Sequence, residues 1–519
     1  MGQREGATGV LPNPAGLPGR LIGLAATLGT LLALAAMPAG AAAGGYAQEY
    51  TEGLVLGLQG YVYGEPLMNM QRLYQSNTSV TVADEIGDAP VNQFSHFPAL
   101  SETKEGEIVA PNADTLYSVA WLQLKPQPIV LHVPASPGRF SDVPLYSPYE
   151  ENFANVGEGA SGQLPPGNYV IAGPTRLRGV EETEGMRVIH SPYDRVWLLP
   201  RTLVRSQQDQ SDAVALQAQM KLVPLESWKR EGLAYQPPAP EREITQYTAY
   251  TVPGTQPGED PIVYWTALGA ALKQFKPPAA DAPELKLLAR VGIGPGRSPA
   301  NDPKLGPGLL AGLRAAVALG PQEVSKGFHQ SVLAGFERHN GWGLSRTGTY
   351  GTEYPLRAVV DQFGLAALKP NIAIYPFATS DRTGAPLTGA KRYLVHMPSS
   401  DFPVPVQGFW SLTMYATNGY FIPNSLERFT LGDRSPLHFE ADGSLNIYVQ
   451  SEEPTSEAEL SNWLPAPAAA EFQLILRLYG LEEAAIGPLI EGAPGSFALP
   501  TILPCGAENK TSTGIECAG

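Results

Sequence analysis

Glycine and proline constrain this chain more than any other feature. It carries 55 glycines and 50 prolines in 519 residues, spread along its length and not gathered into repeats. Such punctuation makes turns frequent, and with 43% apolar but only 16% charged residues it reads as well-packed globular structure and not as disorder. A chain of this length exceeds what one hydrophobic core organises, so two compact modules joined by helices are expected. The net charge of −15 repels phosphate backbones and anionic headgroups. With no clustered Lys and Arg to counter it, no nucleic-acid partner is expected.

The first 43 residues have the pattern of a secretory signal peptide. Arg4 and Arg20 precede an apolar run over residues 21–37, followed by the small residues Ala39, Ala41 and Ala43. An uncleaved anchor is the alternative, but Pro38 and the Gly/Ala-rich stretch after it favour cleavage. Removing Arg4, Arg20 and Glu5 makes the charge one unit more negative than −15, or −16. No later stretch is long and apolar enough to span a bilayer, so no membrane contact is expected after cleavage, and the protein is expected in the periplasm or the extracellular medium. Cys505 and Cys517 are the only cysteines. In an oxidising compartment they are expected to pair as a disulfide in the tail, a free or metal-binding pair being the alternative.

Hydrophobic periodicity divides the rest. Leu54, Leu58, Tyr61 and Glu65 fall at helical spacing, predicting a leading helix from about residue 46 to 74 that frays at Gly64 and Pro66. Period-two alternation then runs over residues 112–204, with Thr115, Tyr117, Val119 and Trp121 on one face of a strand. Short strands follow at residues 129–133, 168–172 and 195–199. Helical spacing returns over residues 211–361, where Leu309, Leu313 and Val317 form a stripe and Gly320-Pro321 is expected to stop one helix and start another. Alternation resumes at residues 392–397, 409–415, 438–439 and 445–450, with a hairpin signal at Asp442-Gly443. Phe472, Ile475, Leu476 and Tyr479 sit at i, i+3, i+4 and i+7, predicting a short helix ended by Gly480.

The expected fold is mainly β with a helical linker, an α+β chain with a β-rich domain over residues 46–210, a helical packing region over 211–370, a second β-rich domain over 371–485 and a tail over 486–519. Particular motifs resemble a bacterial two-domain family of unknown function, domain of unknown function 1254 followed by domain of unknown function 1214. The first is similar at Tyr61-Val-Tyr-Gly-Glu-Pro-Leu67, Ala110-Pro-Asn-Ala-Asp-Thr-Leu-Tyr-Ser118, Asn152-Phe-Ala-Asn-Val-Gly157 and Val196-Trp-Leu-Leu-Pro-Arg-Thr-Leu203. The linker is similar at Val291-Gly-Ile-Gly-Pro-Gly296 and Gly348-Thr-Tyr-Gly351. The second domain is similar at Phe409-Trp-Ser-Leu-Thr-Met-Tyr415, Gly432-Asp-Arg434, Asp442-Gly-Ser-Leu445 and Asn462-Trp-Leu-Pro-Ala-Pro467. The resemblance implies an N-terminal immunoglobulin-like or sandwich domain and a C-terminal jelly-roll-like antiparallel domain. It implies no reaction, so function rests on the site.

Sharp catalytic motifs are absent: there is no Gly-x-Ser-x-Gly, His-Glu-x-x-His, phosphate-cradling glycine loop or Cys-x-x-Cys. The seven histidines are scattered singly, without the paired spacing that presents two ligands to one ion, so neither a metal nor another cofactor is expected. What remains is a polar and aromatic set. Asp114 is the candidate general acid or base and Tyr117 the candidate proton donor. Asn112, Asn152, Arg201, Tyr350, Tyr354, Arg357, Trp410 and Arg428 are candidate substrate-binding residues, with Asn424, Arg434, Trp463 and Arg477 beside them. Guanidinium groups beside rings suit a planar anion carrying an apolar face. Three readings stand open: a hydrolase or lyase acting on a small organic or carbohydrate-like anion between the domains, a non-catalytic binder of a small molecule, glycan, lipid or peptide, and a structural envelope protein whose arginines and tryptophans only glue the domains. Homo-oligomerisation is open as well.

Overall fold

The computed structural model describes residues 41–101, 110–174, 185–334, 338–491 and 497–505. The leader pattern falls almost wholly outside these residues, as does Cys517. Among them the chain is mainly β with a helical segment between two sheet domains.

The N-terminal domain contains β1 (Thr115–Gln123), β2 (Ile129–Val133), β3 (Ser141–Tyr146), β4 (Asn152–Glu158), β5 (Gly167–Ala172), β6 (Arg187–His190), β7 (Arg195–Leu198), β8 (Arg201–Leu203) and β9 (Lys221–Pro224). One sheet runs Ser95–His96, β1, β7, β3, β4 in space, with β8 paired to both β1 and β3. The other runs β9, β2, β5, β6, its last pair parallel. Alternation along β1 holds and both its faces are buried. Ala120 and Leu122 join Leu131 and Ile171 between the two sheets, while Tyr117, Val119 and Trp121 point the other way. Strand β9 interrupts the region predicted as helical: Leu222 and Val223 pair with β2 and complete that sheet.

The C-terminal domain repeats the construction with β10 (Tyr393–Met397), β11 (Val406–Ala416), β12 (Thr430–Gly432), β13 (Leu445–Gln450), β14 (Trp463–Pro465), β15 (Phe472–Leu481) and β16 (Thr501–Pro504). Strands β15 and β11 pair over most of their length at the centre of one sheet; β14, β13, β10 and β16 form the other. Residues 472–479 are therefore strand and not the predicted helix. An apolar run satisfies helical spacing and strand spacing together, and burial on both faces decides for the strand. Leu474, Leu476 and Leu478 fill the sandwich core, while Arg477 and Tyr479 take the opposite face. Around Asp442-Gly443, Glu440 N–H bonds to Ser444 O in a tight turn, but Phe439 makes only an isolated bridge to Leu445.

Helices α1 (Ala41–Asn77), α2 (Ile262–Gln274), α3 (Pro307–Ala334) and α4 (Tyr354–Phe363) form a bundle beside the sandwiches. Neither expected break occurs. Helix α1 continues through Gly64 and Pro66 to Asn77, and α3 continues through Gly320 and Pro321. Both glycines allow close approach: a Cβ at Gly64 would lie 2.6 Å from Leu268 of α2, and one at Gly320 would enter the Tyr61 ring. Buried side chains on both sides of each proline, Tyr63 and Leu67 in α1 and Val317 and Val324 in α3, offset the donor that it removes. A separate apolar cluster joins the outer face of the β1 sheet to the outer face of the β15 sheet, where Phe140, Trp197 and Leu199 meet Phe409 and Tyr479, with Met70 and Leu73 of α1 at the edge. The two sandwiches thus meet face against face.

Candidate functional site

The segment entering β1 stitches the domains together. Ala110 O accepts Arg477 Nη2 at 2.8 Å, Pro111 O accepts the Tyr415 hydroxyl, and Asn112 Nδ2 donates to the Tyr479 hydroxyl at 2.8 Å. Asp114 follows with both oxygens occupied: Oδ2 accepts the Ser411 hydroxyl at 2.6 Å and Oδ1 pairs with Arg434. The motif shared with the family is thus an inter-domain clamp, and its polar residues are spent largely on that task.

Beside the clamp is a cavity of about 150 Å³. Its polar lining includes Asn112, Tyr117 of β1, Arg201 of β8, Tyr375, and Arg477 and Tyr479 of β15. Apolar side chains of α4, Leu356, Val359, Val360 and Phe363, also line it, with Leu365 next to Ala366 and Ile475 beside Arg477 on the same face of β15. Both arginines are buried, at 5% exposure for Arg201 and 3% for Arg477. Arg201 donates to Ala366 O at 2.8 Å and Leu199 O at 3.3 Å; Arg477 donates to Thr413 Oγ1 at 3.1 Å and to Ala110 O. Among the described residues neither has a carboxylate within ion-pair distance. Burial acts against both charges, but the surrounding hydroxyls, chiefly Tyr146 at Arg201 and Tyr415 at Arg477, outweigh it and hold both as guanidinium. Burial likewise raises the Tyr375 and Tyr479 phenols above their usual range, so both remain proton donors. Asn112 N–H and Nδ2 donate to the hydroxyls of Tyr117 and Tyr479. Each phenol is therefore an acceptor toward Asn112, and its own proton is left for another partner.

On the far side of α4 three buried carboxyl groups gather: Glu65, Glu150 and Asp361. Glu65 and Asp361 share a hydrogen bond, and Asn69 donates to Asp361 at 2.9 Å. Burial pushes Asp361 up to about 7 and raises Glu65 and Glu150 as well. Glu150 Oε1 accepts Ala366 N–H at 2.9 Å, and the Ala366 carbonyl accepts Arg201 and Tyr146. Ala366 holds a left-handed φ of 64°, a strained conformation fixed by these bonds.

Of the candidate residues from sequence, the structure brings Asn112, Tyr117 and Arg201 to the cavity, with Arg477. Asp114 does not line it. Asn152 is fully buried and holds Leu145 O and Ala154 O. Arg357 sits among the rings of Tyr63, Tyr149 and Tyr354 at 5.8, 5.5 and 5.4 Å on the helical side, and Tyr354 donates to Asp281. Tyr350 is buried near Glu150. Trp410 packs in the C-terminal core, and Arg428 donates to the carbonyls of Leu460 and Trp463. Cys505 is disulfide-bonded; Cys517, its expected partner, lies outside the described residues. Tyr479, Tyr375 and the α4 wall were not singled out from sequence. Period-two spacing through Gln473, Ile475, Arg477 and Tyr479 is the signal that could have marked the first of them, but the run also fits helical spacing.

The chain carries the two domains its sequence resembled, in the same order. Residues 91–224 match the family model described as Protein of unknown function (DUF1254), and residues 372–483 match Protein of unknown function (DUF1214). The fold is similar to that of the VPA0106 protein from Vibrio parahaemolyticus, with a TM-score of 0.58 at 19% identity, covering 87% of this chain and 99% of that one. A putative uncharacterized protein from Burkholderia cenocepacia aligns at a TM-score of 0.38 and 13% identity, over 89% of this chain and 95% of that one. No curated protein matches the chain.

Proposed function

We propose that this protein binds a small organic anion in the cavity at the domain junction. The observation that carries the reading is the pair of buried guanidinium groups, Arg201 and Arg477, that line one cavity with no carboxylate of the described residues within ion-pair distance of either. Burying a charge costs several kcal/mol unless it is matched, on the order of the worth of a whole buried ion pair. Carbonyl bonds and tyrosine rings offset part of that cost, and a ligand anion supplies the rest. The hydrolase or lyase reading has less behind it, because Asp114 is engaged by Ser411 and Arg434 and, among the described residues, no carboxylate lines the cavity. A glycan suits the site poorly, since the α4 wall would leave its hydroxyls unpaired. The leader pattern of the first 43 residues supports an exported protein, and the disulfide at Cys505 agrees with an oxidising compartment.

Titration calorimetry of the chain from residue 44 onward with phosphate, sulfate, benzoate and benzenesulfonate tests the reading. Saturable binding of at least one anion is expected, lost in Arg201→Met and Arg477→Met. If none of the four binds saturably, the reading falls.

A further inference from the structure

Resting on that reading, we infer that the anion is a monocarboxylate with a compact apolar body of about six to eight carbon atoms, its carboxylate against Arg201 and Arg477 and its body under α4. Three observations converge on this class.

The first is size. An apolar cavity of about 150 Å³ is known to accept a benzene-sized guest, and this one has that volume. A phenyl ring or a short alkyl chain fills it, whereas a membrane lipid's chain would have to leave through the mouth beside exposed Thr417.

The second is the division of the walls. The donors come from the sheets, through Arg201, Arg477, Tyr117 and Tyr479, and an apolar wall comes from α4, through Leu356, Val359, Val360 and Phe363. A bare inorganic anion would use the first set and leave the second wet. A ligand with a charged head and an apolar body uses both.

The third is charge. Arg201 is paired across the β3 and β8 strands with buried Asp142, which also feels Lys369. Arg477 feels Asp114, and Arg434 is shared by Asp114 and Asp433. The charge on each cavity guanidinium is thus partly offset inside the protein, and a single negative charge suits what is left better than two. The free phenol protons of Tyr117 and Tyr479 and the planar guanidinium groups suit a carboxylate's in-plane lone pairs.

The test is a calorimetric series on the same chain with acetate, butyrate, hexanoate, octanoate, dodecanoate and benzoate, set beside hexanesulfonate, hexyl phosphate and hexanol. Affinity is expected to rise about fourfold per methylene from acetate to hexanoate, to level or fall by dodecanoate, and to be higher for hexanoate than for the other hexyl compounds. A flat series, a rise continuing to dodecanoate, or tightest binding of hexyl phosphate overturns the inference. If phosphate or sulfonate compounds bind and carboxylates do not, the anion-binding reading survives and this one fails; if nothing binds, both fail. Leu356→Trp, at a half-buried wall position, is expected to move the optimum to a shorter acid, with Val359→Phe as a second variant. An unaltered optimum in whichever variant keeps the wild-type melting temperature counts against the placement of the body under α4.

Discussion

Asn112 shows how a single polar residue couples the clamp to the cavity. Its Oδ1 accepts the Asp114 N–H at 2.6 Å, its Nδ2 reaches Tyr479 across the domain junction, and its own N–H reaches Tyr117. Its position at a strand entry, among other polar residues, made it legible in sequence. The role of Asp114 was not, because Ser411 and Arg434 lie 297 and 320 residues away along the chain and nothing local announces them. At the same scale, the buried carboxyl group of Asp361 gives a pH dependence with a definite sign. Its folded value of about 7 lies above the ordinary 3.8. Between these the folded state holds a proton that the unfolded state releases, so the stability it contributes is complete below the unfolded value and is lost as pH rises through 7. Wild-type urea midpoints are therefore expected to fall from pH 5 to pH 8, and Asp361→Asn to reduce that fall. Equal slopes for the two proteins would contradict the assignment.

Strand β15 is the element on which most of the site depends, and the one that sequence periodicity misassigned. Phe472, Ile475, Leu476 and Tyr479 fit a helical stripe, but Leu474 and Leu478 make the run apolar throughout, and only pairing with β11 and burial on both faces select the extended form. Once it is a strand, alternation sends Leu476 into the sandwich and Arg477 into the cavity. Leu476→Ala is expected to cost about 2–5 kcal/mol, the range for a core leucine truncation, read as a lower urea midpoint. A loss within error of zero would mean that the strand is not held as described. Strand β1, by contrast, was readable, because a polar entry and strict alternation leave one period that fits. Helices α1 and α3 ran past their expected breaks for a reason no local pattern carries: the glycines face a neighbouring helix or ring supplied from elsewhere in the chain.

At the scale of the molecule, two β-rich domains with helices between them followed from length, periodicity and motif resemblance. Their face-to-face contact did not, since it is built from residues far apart in sequence: Phe140, Trp197, Phe409 and Tyr479. A large apolar junction couples the two sandwiches, so a single cooperative unfolding transition is expected for the wild type. Asp114→Ala leaves Arg434, 18% exposed, with Asp433 as its remaining carboxylate. The expected cost is about 2–3 kcal/mol, below the range for a fully closed pair, together with a broadened or split transition in differential scanning calorimetry. An unchanged single transition at the wild-type temperature would show that the clamp does not join the domains.

The central claim is a place and an orientation: an organic monoanion with its charge at Arg201 and Arg477 and its body beneath α4. Anomalous diffraction from crystals of the protein grown with 4-bromobenzoate tests both together. The account predicts a bromine peak next to Leu356 and Val359, with the carboxylate density against the two guanidinium groups. Bromine found only on the surface, or at the arginine end with the carboxylate pointing to α4, would contradict it.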